Sequence, residues 1–240
     1  SAFVNQLLMS TADIILNTNG QPYAVRKQGA GLANLQNAIN TDAYITTKDE
    51  TGAVMDKTKL ELGDDKEKTG VYTLNFTVHN FGSKKTTYTV GTYVMTEGVS
   101  DTKTAHGKTT VTEVAHILEG AEVAVTVNGE SAKRNKITVA AGDSVDVTVT
   151  ITLTDENKAY LDQSFENGMY VEGFVTLENS NSKGVDLNVP YLAFYGDWTQ
   201  APVLEESDWR DIIPIDTFLN TTPADEEGNT YADYGYAWDN

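Results

Sequence analysis

Cysteine is absent from this chain of 240 residues, which excludes a disulfide framework, a thiol nucleophile and a thiolate metal site together. Such a composition is unusual for a secreted eukaryotic protein of this size and ordinary for an exported bacterial one. Positive charge is also scarce: Lys and Arg total 17 against 35 Asp and Glu, a net charge of −18. That excess repels phosphate backbones, so no nucleic-acid partner is expected. No apolar run approaches the length of a membrane span, so no membrane contact is expected either. The opening stretch SAFVNQLLMSTADIIL lacks the basic residue of a secretory signal. The chain is then either not exported or an internal piece of something longer.

What is present divides into three regions. Hydrophobic residues make up 40 % of the chain, enough to build a core. In residues 1–40, Phe3, Val4, Leu7, Leu8 and Ile15 fall near a helical stripe, broken by Asn19-Gly20 and Pro22. A second short helix is expected after Gly29 and Gly31, with Leu32, Leu35, Ala38 and Ile39 on one face. These forty residues hold too little apolar area to fold alone. After Thr41 the period changes to two. Tyr72, Leu74, Phe76 and Val78 alternate with polar residues, as do Val145, Val147, Val149, Ile151 and Leu153. Weaker runs occur at 86–95, 110–118, 122–127, 136–139, 170–177 and 185–194, separated by turn signals such as Asn128-Gly129. Short alternating strands at this spacing predict an antiparallel two-sheet sandwich, with Leu74, Phe76, Val147, Val149 and Ile151 inward. Residues 155–165 interrupt the pattern and predict one helical turn. Beyond residue 197 the period is lost. Residues 205–240 carry a net charge of −9, and Trp198, Trp209 and Trp238 are all in this last region. It reads as an acidic connector whose aromatics pack onto something.

Residue types that carry chemistry are few and scattered. Gly29 and Gly31 resemble a dinucleotide-binding turn only superficially, because no buried strand precedes them and the third small position is Asn34. The three histidines, His79, His106 and His116, have no second histidine at ligand spacing. No serine stands in a Gly-x-Ser-x-Gly elbow. No catalytic, cofactor-binding or metal-binding residue is therefore assigned. Asp225-Glu226-Glu227-Gly228-Asn229 is the best calcium candidate, but it lacks the alternating Asp/Asn spacing of a loop site and reads better as a solvated acidic loop. The sequons at Asn75 and Asn220 are short patterns expected by chance.

LLMSTA at residues 7–12, followed by RKQGAGLANLQNAI at 26–39, resembles the C-terminal end of a subtilisin-family catalytic domain. The likeness is to the large cell-envelope proteinases of Gram-positive bacteria, the group of lactocepin and the streptococcal complement-cleaving peptidases. GMYVEGFVTLEN at 168–179 and VPYLAFYGDW at 189–198 resemble the end of the fibronectin type III-like sandwich that follows the protease domain there. The matched motifs total about forty residues, and their order and spacing cover nearly the whole chain. The resemblance favours an internal piece of a longer protein. It implies the end of a catalytic domain in 1–40, a connector in 41–59, a fibronectin type III-like sandwich in 60–196 and a connector toward a following domain in 197–240. The two glycines would then be packing glycines. The family's catalytic triad and oxyanion asparagine map onto no position here, and Ser10 lacks the nucleophile's Gly-Thr-Ser context. The implied function is a non-catalytic segment of an extracellular serine endopeptidase of the cell surface or wall, whose partners are the rest of the protease and its protein substrates. The alternative is a free-standing surface adhesion or carbohydrate-binding sandwich, since this architecture hosts many functions.

Overall fold

Strict alternation builds the first sheet. The structure, a computed structural model, describes residues 1–103 and 109–200. Strand β3 (Val71–Asn80) pairs antiparallel with β11 (Ser144–Thr152), so that Val149 lies opposite Leu74, Val147 opposite Phe76 and Ile151 opposite Tyr72. All six side chains are buried. The intervening residues face outward and bond across the strands: Thr148 Oγ1 donates to Asn75 Oδ1, and Thr77 Oγ1 to Asp146 Oδ1, each at 2.7 Å. Strand β1 (Ala43–Thr46) extends the sheet beside β3. Strands β8 (Glu122–Val127) and β9 (Glu130–Ser131) extend it beyond β11, giving the order β1-β3-β11-β8-β9.

The second sheet has the order β10-β4-β12-β13-β2, from β10 (Lys136–Val139), β4 (Thr86–Thr96), β12 (Met169–Asn179), β13 (Leu187–Tyr195) and β2 (Leu60–Asp65). A short β7 (His116–Ile117) also pairs with β4, and β5 (Val99–Lys103) pairs with β6 (Thr109–Val111) in a separate ribbon. Tyr88, Val90, Val175, Leu177, Val189 and Tyr191 of this sheet join Leu74, Val78 and Val149 of the first in one core. The architecture is the mainly β sandwich expected, and all five residues expected inward are buried. Pairing is antiparallel among the described strands except for β2, which runs parallel to β13 with a register shift at Leu192/Phe194.

Three local expectations differ. The run 110–118 is not one strand, because Thr112 Oγ1 donates to the Val114 carbonyl at 2.8 Å and turns the chain between β6 and β7. Residues 155–165 hold nearly three turns: helix α4 (Asp155–Ser164) begins with a capping box, in which Thr154 and Asn157 satisfy each other's backbone N–H. The stretch 41–59, read as a connector, contributes β1.

Residues 1–40 form three helices where two were expected: α1 (Ala2–Ser10), α2 (Val25–Gln28) and α3 (Leu35–Asn40). The first stripe stops at Ser10, beyond which Asp13 bridges to Leu32 and Leu16 to Pro22. Gly29, at φ 64°, ends α2. At Gly31 a Cβ would lie 2.3 Å from the Asp13 carbonyl oxygen, so the bridge forms only with glycine there. The packing role is observed, against this chain's own backbone. This region lies on the outer face of the second sheet, where Ile14 and Val25 pack against buried Met95, Ala115 and Phe174. Covered on both faces, β13 is buried almost throughout and shows no alternation. No helix among the described residues is long and apolar enough to cross a membrane.

Candidate functional site

The polar chemistry of the described residues concentrates at the seam between residues 1–40 and the sandwich. Glu172, in the middle of β12, is fully buried. Its Oε2 accepts the Arg26 backbone N–H and its Oε1 the Arg26 Nε–H, each at 2.9 Å. Arg26 also donates through Nη2 to Glu97 at 2.6 Å, and its guanidinium lies 4.6 Å from the centre of the Tyr170 ring. Burial alone would lower the Arg26 pKa, but the two carboxylates outweigh it and hold the guanidinium above its ordinary value. Because the Arg26 N–H belongs to the first turn of α2, one carboxylate satisfies both an orphan helix donor and the cation.

Further stitches line the seam. Asn188 Nδ2 donates to the Ala12 carbonyl at 2.7 Å, and Gln6 Nε2 to the Met55 carbonyl at 2.7 Å. Ser10, fully buried, donates to the Gln6 carbonyl at 2.6 Å and accepts the Ile45 N–H at 2.9 Å. Thr58 donates to the Ile45 carbonyl at 2.8 Å, and Thr41 takes both the N–H and the carbonyl of Ala43. Buried hydroxyls thus occupy the backbone groups of β1 that would otherwise form an open edge.

The same forty residues turn an apolar row outward. Leu32, Leu35 and Ile39 are 64 %, 67 % and 73 % exposed, and Val4, Ile15 and Leu16 are exposed as well. The expected helix face of Leu32, Leu35, Ala38 and Ile39 is only partly realised: Leu35 and Ile39 share an outward face of α3, but Leu32 precedes the helix and Ala38 is buried. The apolar side chains this region buries include the small Ala12, Ala24, Ala30 and Ala38.

The residues weighed for chemistry are dispersed. His79 lies on the outer face of the first sheet, 2.8 Å from Thr46 Oγ1 and stacked on Tyr44 with ring centres 4.8 Å apart. Burial holds its pKa below the usual imidazole range, against a weaker pull from Asp146. His116, in the second sheet, stacks on Tyr160 at 3.7 Å and is likewise lowered by burial. The structure does not bring these two together. Ser10 is a structural hydroxyl, and Asn75 an acceptor on the outer face of β3. His106, Asn220, Trp209, Trp238 and the calcium candidate Asp225–Asn229 lie outside the described residues. Among the described residues, no group of three His, Asp or Glu could hold a metal ion.

Comparison with known proteins decides the family. The family model of Fn3-like domains matches residues 60–192, from β2 to β13. The chain belongs to this Fn3-like family. Around the Fn3-like match the similarity extends further: a C5a peptidase of Streptococcus pyogenes is 27 % identical over 84 % of the chain, and the PIII-type proteinase of Lactococcus lactis subsp. cremoris is 28 % identical over 97 %. The chain spans only 15 % and 11 % of the lengths of these two relatives. The resemblance read in the sequence motifs is therefore borne out. Among solved structures, the PapD-like domain of human CEP192 aligns with 66 % of the chain and 87 % of its own length, at 9 % identity and a TM-score of 0.36.

Sequence reasoning did not find the Arg26–Glu172 latch. A signal existed: Glu172 interrupts the apolar run of β12, and Arg26 and Lys27 are the only bases in the first forty residues. Nothing in the pattern links positions 146 apart.

Proposed function

We propose that this Fn3-like chain is a non-catalytic segment of a longer subtilisin-like serine endopeptidase, secreted and held at the bacterial cell surface. In that setting it braces the protease domain and shapes the approach of protein substrates. The observation that carries the reading is the exposed row Leu32, Leu35 and Ile39 on a region otherwise latched firmly to the sandwich. An apolar surface held rigidly outward suits a second folded surface better than water. The relatives, named as proteinases, give that surface its candidate owner: a catalytic domain that 1–40 would complete, with 41–59 and the sandwich following and 197–240 leading onward. The net charge of −18 would favour basic substrates through their rate of encounter.

The test is the triple variant Leu32→Ser, Leu35→Ser, Ile39→Ser, made both in this chain and in the full-length protease. We expect this chain to melt within about 1–2 °C of the parent sequence, since exposed side chains contribute little. The full-length variant should lose thermal stability and kcat/KM. Unchanged behaviour in the full-length protein would refute the bracing role. Stoichiometric labelling of this chain by a fluorophosphonate would refute its non-catalytic assignment.

A further inference from the structure

A cleft of about 430 Å³ opens on the outer face of the first sheet, at the end where Tyr44, His79 and Ser144 fall in one row across β1, β3 and β11. Its size is that of a small-ligand site. The walls are aromatic: Tyr44 stacks on His79, and Phe81, 51 % exposed, lies 6.1 Å from Tyr44 at a tilt of 47°. Asp143 lines the same cleft.

The polar groups there are unequally available. Asn80 donates to the carbonyls of Lys84, Val139 and Ala140 and accepts the Gly82 N–H, so its amide is spent. His79 Nε2 is engaged by Thr46. Asp143 accepts the Ser144 N–H through Oδ1 at 2.8 Å, and its Oδ2 has no partner among the described residues. Lys84 and Lys85, in the adjoining turn, form no ion pair with it among those residues. What remains open is a carboxylate oxygen, the hydroxyls of Tyr44 and Ser144, and the exposed ring of Phe81, because Tyr44 is already stacked on His79 and in edge contact with Phe3 at 5.1 Å.

A cleft with an open carboxylate beside an exposed aromatic ring fits a flat cation that only donates. A guanidinium meets that description: it stacks on ring faces and bonds a carboxylate in its own plane. A neutral sugar would leave the carboxylate charge unmatched, and a lysine ammonium would leave the aromatic ring less well covered. We propose that this cleft takes the guanidinium of an arginine side chain presented by a peptide or protein partner, stacked on the exposed ring of Phe81 and paired with Asp143. The inference stands whether or not the chain belongs to a protease.

The experiment is an NMR titration of this chain with a capped Gly-Arg-Gly peptide, the same peptide carrying neutral citrulline, and cellotetraose. The arginine peptide should shift the amides of Tyr44, His79, Phe81 and Ser144, with a Kd on the order of 1 mM. Citrulline should bind at least about five-fold more weakly, as should arginine to the Asp143→Asn variant, from loss of the charge-assisted bond. The asparagine retains an oxygen for the Ser144 N–H, and an unchanged melting temperature would verify its fold. Equal binding of citrulline, unweakened binding by Asp143→Asn, stronger shifts with cellotetraose, or no shift at about 20 mM arginine peptide would each overturn the proposal.

Discussion

The sandwich and the forty residues before it are held by opposite means. In the sandwich, two sheets bury one continuous apolar core, and outward residues such as Thr148 and Asn75 serve mainly to bond one another. Residues 1–40 bury small side chains and place several of their larger aliphatic ones in solvent. Their attachment is directional, through Arg26 to Glu172, Asn188 to Ala12 and Ser10 to Ile45. Nonspecific burial makes a stable body. Aimed polar bonds fix the pose of a second element while leaving its apolar face unspent, which is what a presented surface requires.

The contrast can be broken first where it is strongest. Val149→Asp puts a charge among fully buried neighbours and should lower stability by roughly 4 kcal/mol or more, seen in urea melts. Thr148→Asp, one residue away on the outer face, should cost about 1 kcal/mol, the worth of its bond to Asn75. Equal melts would show that the register is wrong. At the seam, Arg26→Met leaves Glu172 buried without its cation, a loss of roughly 3 kcal/mol. Adding Glu172→Gln should recover part of it. Hydrogen exchange in residues 1–40 should then rise more than in β3 and β11, and uniform acceleration would mean that the two regions unfold as one unit. Ser10→Ala leaves the Ile45 N–H without its buried acceptor and should cost about 1–2 kcal/mol.

The smallest effect concerns pH. Burial depresses the His79 pKa below its ordinary value of 6.5, so the unfolded chain binds the proton more readily than the folded one. That contribution to stability is complete above pH 6.5 and is lost as pH falls toward the folded pKa. His79→Gln should therefore flatten the fall in melting temperature on acidification below neutrality. A parallel profile would place the sensitivity elsewhere, with His116 the next candidate because burial lowers it too.

Much of the sandwich was legible because a period of two reports burial on one face only. It weakens where both faces are covered, as in β13, although the run at 185–194 still marks that strand, and it gives no signal where strands are short or acidic, as in Ala43–Thr46 and Leu60–Asp65. Of the helix face expected from Leu32, Leu35, Ala38 and Ile39, only Leu35 and Ile39 share an exposed side of α3: the Asn34 cap starts the helix after Leu32, and periodicity does not say what a face meets. The seam was the least legible part. Glu172 could be noticed as a carboxylate inside an apolar strand, yet its partner is set by the path of the chain, which no local pattern encodes.

The hydroxyls of Ser10, Thr41 and Thr58 along β1 bear on where such a protein can be cut. The Fn3-like match begins at residue 60, so a cassette defined by that match alone would start there. A cassette cut there would leave behind β1 and its hydroxyl cover, opening the free edge of β3, and would strip the apolar outer face of the second sheet. The transplanted piece would be adhesive toward copies of itself. A sandwich excised at residue 60 should therefore need the preceding residues to stay monomeric, so the unit that is covered is larger than the unit of resemblance.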